Sequence, residues 1–408
     1  MAHSGALSAT VALNRMWPSA IPALYWGLPT PADFVRRVAS QTRQHRATVL
    51  SLTRHQLPGI WEQVKDGLAR AEIPAVVDLN IHDGTDIAYE VGPHFECAFL
   101  TAAKLAETSA RELTAVLLRP KGDYARRNCE SYFRAFLDAL AHAGGNTYLL
   151  VEIADGEITE DSSAEGFQVL AFDGAISSDE MAAYVGLRML GRNGPGSTKL
   201  LRSLVYEYSG FDVALAERLV ALPDSDILGL PRTLGALLEA DPLRWQKNSW
   251  LEGTAALVDG RELRHPLREW YLALHSGSGQ EGALMAAKRR YWRACVQTLT
   301  PWLEERRLQV LDIFKRPLDV LLGPTGGKHI KPLPSGKTIE IERNELEYNN
   351  IVGMTYFGEL AIPGDPRSQQ AFAVCKVAKA VRDDLAHLRA PKSQDVLSLI
   401  STMDSLLT

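Results

Sequence analysis

Between Ala23 and about Leu190 short apolar runs alternate with stretches whose apolar residues recur at helical spacing. That is the pattern of strands joined by crossover helices around a parallel sheet. Strands are predicted over residues 23–26, 48–52, 75–79, 115–118, 147–153 and 167–172, with helices over 32–45, 60–71, 124–142 and 179–189. A glycine- and proline-rich run at 191–196 breaks the pattern, and shorter helices are expected over 198–208, 213–222 and 234–240.

From about residue 266 the periodicity becomes that of long helices, over 267–274, 283–299 and 302–321, with a kink expected at Pro317. The glycine-rich stretch 323–334 interrupts them, and the alternating residues 338–342 predict a short strand of an inserted hairpin or loop. Helix returns over 369–388, stops at Pro391 and resumes over 393–407, where Ser393 and Asp395 suit an N-terminal turn. The expected fold class is an α/β parallel-sheet domain over 1–190, a helical lid or linker over 191–265, and an all-α bundle over 266–408 with an insertion at about 323–366.

Composition narrows the class. Hydrophobic residues make up 46% and charged residues 23% of 408, which suits a packed globular chain and excludes collagen-like, disordered and helix-spanning membrane classes. The formal charge of -5 argues against a surface built throughout to neutralise nucleic-acid phosphate, although a local basic groove is compatible with it. Cys97, Cys129, Cys295 and Cys375 are too widely spaced for a small disulfide framework or a CxxC metal pair, so a reducing cytoplasm is expected. Residues 1–17 lack the cationic start of a secretory signal, and none is expected.

The loop Tyr25-Trp-Gly-Leu-Pro-Thr-Pro31 is the expected place for phosphate binding, yet it has no second glycine and no Lys-Ser/Thr pair. Gly327-Lys328 and Gly336-Lys337-Thr338 carry Leu322 and Lys331 where the leading glycine of a phosphate loop would stand. In layout, residues 20–240 resemble an AAA or STAND-type ATPase core followed by a helical lid. The resemblance implies a degenerate, non-hydrolysing form with no bound cofactor. An anion nest over the glycine-rich residues 191–199 is a further reading, against a plain interdomain turn. His82, Asp83 and His94 lack a metal-ligand spacing, so no metal is assigned, and the GxSxG elbow of a serine hydrolase is missing.

The string Arg382-Asp-Asp-Leu-Ala-His387 carries the clearest chemistry. A histidine can exchange a proton with a ribose 2′-hydroxyl or a leaving oxygen, while a permanently charged guanidinium holds phosphate. The string lies in the penultimate helix of the terminal all-helical region and resembles the Arg-x(4–6)-His motif of the HEPN family, with Asp383 where asparagine is more usual. The resemblance implies metal-independent RNA cleavage, with Arg382 binding phosphate and His387 as the acid–base group. Asp383 either orients Arg382 or is an ordinary exposed helix charge. Residues five apart on a helix are about 140° apart around its axis, so one helix cannot aim both at one phosphate. The family resemblance implies that two motifs face each other across a dimer.

The sequence therefore points to a cytoplasmic toxin or antiviral-defence effector, with a HEPN-like ribonuclease domain, RNA as substrate, a homodimer or protein partner, and no membrane. The alternative is a non-catalytic signalling or assembly protein whose C-terminal bundle docks a partner.

Overall fold

The computed structural model describes residues 23–53, 59–153, 167–190, 197–238, 243–275, 279–332 and 335–407. The chain divides into two compact units. One gathers Met1–Tyr184, Gly210–Glu217 and Asp241–Arg268; the other gathers Val185–Ser209, Arg218–Ala240 and Glu269–Thr408.

The first unit is built on a five-stranded parallel sheet of β1 (Ala47–Leu52), β2 (Ala75–His82), β3 (Thr114–Lys121), β4 (Thr147–Ile153) and β5 (Gln168–Phe172), in the order β2-β3-β4-β1-β5. Parallel strands covered on both faces read as continuous apolar runs, and every residue of β4 is buried. On one face Val49, Val116, Leu118, Leu149 and Val151 share a core with Phe133 and Phe136 of the helix Asp123–Leu140. On the other lie the helices Pro29–His45 and Ile60–Arg70, with Phe34 stacked on Phe172 of β5 at 4.4 Å.

The expected strand at 23–26 is instead one helical turn, Ala23–Trp26. The tetrapeptide Ala-Leu-Tyr-Trp has no β-branched residue, and buried Tyr25 donates its hydroxyl to Gly174 O at 3.0 Å rather than joining the sheet. The first strand is therefore β1, and the chain after it, not residues 25–31, leads from a strand into a helix.

The second unit is mostly helical. Its longest element, Gly279–Ile313, runs unbroken through Pro301 and ends before Lys315–Leu322. The break falls at Phe314 rather than at Pro317, because Pro317 sits in the first turn of the next helix, where its missing N–H costs nothing. Tyr208 of the helix Ser197–Ser209 donates to Ala287 O at 2.6 Å, which pins that helix on the long one. The insertion holds an antiparallel hairpin of Lys328–Pro332 and Thr338–Glu342, then the helix Tyr348–Tyr356. The helices Pro366–Ala386 and Ser393–Leu407 complete the unit.

Candidate functional site

The helix Pro366–Ala386 begins with Asp365, whose carboxylate accepts from Ser368 N at 2.9 Å, and Pro366 follows at the first helical position. Ala371, Val374, Cys375, Ala378, Val381 and Leu385 bury its apolar stripe. Leu388, the last residue of the helix expected over 369–388, is 75% exposed. The helix stops two residues earlier than its periodicity suggests, with His387 as the closing residue and Leu388 in the left-handed region at φ 56°. Arg389 N then reaches back to Asp384 O at 2.8 Å and Leu388 N to Leu385 O at 3.3 Å, a helix-ending turn that ordinarily takes glycine. Trp292 of the long helix donates its Nε1 to Leu385 O at 3.0 Å, which anchors the same turn.

Arg382 is half-buried, and Glu347 grips it from the start of the helix Tyr348–Tyr356. Nη1 lies 2.5 Å from Oε2 and Nη2 2.7 Å from Oε1. That hydrogen bond, opposed by burial and assisted by the charges of Glu347 and Glu304, holds the guanidinium even more firmly protonated than usual. A guanidinium carries five N–H donors, so a carboxylate fork that uses two leaves three for a further anion. Glu347 also closes a capping box with Asn350, whose Oδ1 accepts from Glu347 N at 2.8 Å. Glu304 nearby is paired with Arg307 at 2.6 Å, and Arg307 also donates to Leu346 O at 2.8 Å, so the segment carrying Glu347 is held at both ends.

His387 is exposed at the helix end. Asp383 pairs with Lys379 at 2.7 Å, one turn back on its own helix, and Glu347 is the carboxylate on Arg382. Sequence reasoning missed Glu347, which lies 35 residues from Arg382. Only the capping pattern of Glu347 and Asn350 hinted that an acid stands at a helix start.

In the first unit a second polar cluster lies near the carboxyl ends of β3 and β4. The pairing of Leu118 with Val151 sets Arg119 beside Glu152, with 3.7 Å between Nε and Oε2. Arg119 also reaches Asp78 of β2 at 3.4 Å, and Lys65 of the helix Ile60–Arg70 meets the same carboxylate at 2.6 Å. The guanidinium lies over the Trp61 ring at 4.6 Å. Both carboxylates thus face cations of the protein itself. Ligands of open α/β sheets bind beyond the carboxyl ends of strands where the order reverses, which here falls between β4 and β1. The segments that follow those strands, 54–58 and 154–166, lie outside the described residues, as do residues 191–196 of the glycine-rich run.

No protein-family model matches the chain, and no curated protein is significantly similar to it. Among the described residues no three His, Cys, Asp or Glu side chains gather as a metal site, and no helix is long and apolar enough to cross a membrane. Cys129, Cys295 and Cys375 are buried, and burial pushes each thiol up to about 12, which keeps them protonated and unreactive.

Proposed function

We propose that the helical unit is a HEPN-like ribonuclease half-site in which His387 moves protons and Arg382 holds the scissile phosphate. The observation that carries this reading is the pairing of an exposed histidine on a strained turn with an arginine whose fork is oriented by Glu347. Non-glycine residues in the left-handed region cluster at functional sites, where surrounding structure compensates the strain. In the reaction a ribose 2′-oxygen attacks the adjacent phosphorus and loses its proton to one histidine. The bond from phosphorus to the 5′-oxygen breaks, and that oxygen takes a proton from a second acid. The products end in a 2′,3′-cyclic phosphate and a 5′-hydroxyl, and the three spare donors of Arg382 offset the charge that builds on the non-bridging phosphoryl oxygens. Two copies facing each other supply both proton-transfer groups.

The parallel-sheet unit serves in this proposal as a degenerate ATPase-like scaffold or sensor of a cytoplasmic toxin or antiviral-defence effector. Arg119 and Lys65 already pair with Asp78 and Glu152, so neither carboxylate is left to hold the magnesium of a nucleotide. ATP turnover by the purified chain in magnesium buffer would remove this part of the reading.

The test of the nuclease is cleavage of mixed RNA by the full chain. His387→Ala and Arg382→Ala should each lower the rate about 10²–10⁴-fold, with an unchanged circular dichroism spectrum and wild-type cleavage that persists in excess EDTA. Cleavage that survives both substitutions puts the chemistry elsewhere. A second reading rests on the charge balance at Arg382: with Glu347 already bound, the pair is neutral and suits docking of a protein partner. Absence of cleavage of any RNA favours that reading.

A further inference from the structure

A cavity of about 430 Å³ opens in the second unit between the inserted hairpin and the helix Tyr348–Tyr356. We propose that this cavity takes up a nucleobase of single-stranded RNA, beside the phosphate held at Arg382. The inference rests on the ribonuclease reading for its substrate class and adds the subsite that grips the strand.

The lining combines what a base needs on its face and on its edge. Phe357 stands at the rim, 75% exposed, a large ring that a folded core does not use. Aromatic side chains of this kind stack on bases, and single-stranded RNA is recognised mainly in this way. Gly353, one turn before Phe357, leaves the cavity floor open, since an added Cβ there would meet nothing within 4 Å. Asn349 and Asn350 line the same wall; the Asn349 amide can donate and accept along a base edge, and Asn350, whose Oδ1 caps Glu347 N, can donate from its amide nitrogen. Across from them His329 of the hairpin points Nε2 at Glu359, 3.3 Å away, while its Nδ1 is buried without a partner. Glu359, whose carboxylate is about half exposed beside His329, can accept from the exocyclic amine of a base.

The chain places these groups deliberately. Gly358, at φ 75°, turns the backbone at the end of the helix, so that Glu359 N returns to Met354 O at 2.8 Å and the carboxylate comes to face His329. Lys331 stands exposed on the hairpin at the mouth, where a phosphate of the strand would pass. The link to Arg382 runs through two residues: Glu347 grips the arginine, Asn350 caps Glu347, and Asn350 is itself part of the cavity wall. From Glu347 to Gly353 the helix rises about 9 Å, about one or two nucleotides of a single strand.

The experiment measures binding rather than cleavage. Full-length His387→Ala protein is titrated into a fluorescein-labelled ten-nucleotide RNA and into the same strand with abasic ribose spacers, read by anisotropy. The base-bearing strand should bind about tenfold or more tightly than the abasic one, and Phe357→Ala should remove most of that difference. Gly353→Leu gives a second variant, since it favours the helix while filling the cavity, and it should weaken base-dependent binding equally. Equal affinity for the two strands, or variants that bind as the parent does, overturns the inference. No affinity for either strand also overturns it and leaves the cavity to a protein segment. Wild-type cleavage that Phe357→Ala leaves untouched would sink the base subsite but not the nuclease. Base-dependent binding without cleavage by wild type would do the reverse.

Discussion

At the scale of single residues the buried polar groups, more than the exposed ones, fix what surrounds them. His265 is fully buried between Trp245 and Phe211; its Nδ1 accepts from Leu267 N at 3.1 Å, and its Nε2 meets Asp212 Oδ2 at 2.7 Å. Burial pushes the Asp212 carboxyl up, but the His265 hydrogen bond and the charge of Arg244 outweigh it and hold it well below the usual carboxylate range. The unfolded chain therefore takes up a proton here near pH 4 while the folded chain does not. The stability this contributes is fully present above about pH 4 and is lost as pH falls toward the lower folded value. Urea midpoints measured from pH 6 to pH 2 should fall more steeply for wild type than for Asp212→Asn. Parallel curves would show that the carboxylate contributes nothing. None of this was legible in the sequence, where Asp212 and His265 are isolated residues of ordinary type. Arg382 and His387 could be singled out in the sequence because they lie within one helical turn and a half of each other, whereas Glu347 became visible only through the packing of two helices.

Among the elements, periodicity located strands β1 to β5 and most helices; the central strands β1, β3 and β4 were clearest, because burial on both sheet faces writes itself as uninterrupted apolar runs. It failed where termini are set by turns. The helix Pro366–Ala386 stops where Leu388 enters the left-handed region, and nothing in a leucine announces that conformation. The hairpin of Ala255–Val258 and Arg261–Arg264 was missed because Arg261–Arg264 is exposed throughout and carries no alternation. The Leu388 turn makes a sharp prediction. A non-glycine residue in this conformation costs about 1 kcal/mol or more, and the side chain is exposed, so little packing is lost by removing it. Leu388→Gly should therefore stabilise the purified chain by about 1 kcal/mol in denaturant unfolding. A loss of stability would mean that the leucine packs against something in solution.

That last possibility leads to the whole molecule. Arg382 and His387 diverge around one helix, so the proposed chemistry needs a second copy or a partner to bring complementary groups together. Leu388 is the natural contact: it is three-quarters exposed, follows His387 directly, and sits on a turn that glycine or asparagine would accept with less strain. Sedimentation of the wild-type chain over a range of concentrations should show a dimer that dissociates on dilution. Leu388→Asn keeps the left-handed turn and removes the apolar contact, so it should shift the protein to monomer and lower RNA cleavage together with dimer content. The concentration dependence separates this role from a local effect on His387, because a local defect would reduce cleavage without changing the sedimentation profile. A wild-type chain that stays monomeric at every concentration while still cleaving RNA would show that one copy builds the whole site, and the composite arrangement would have to be abandoned.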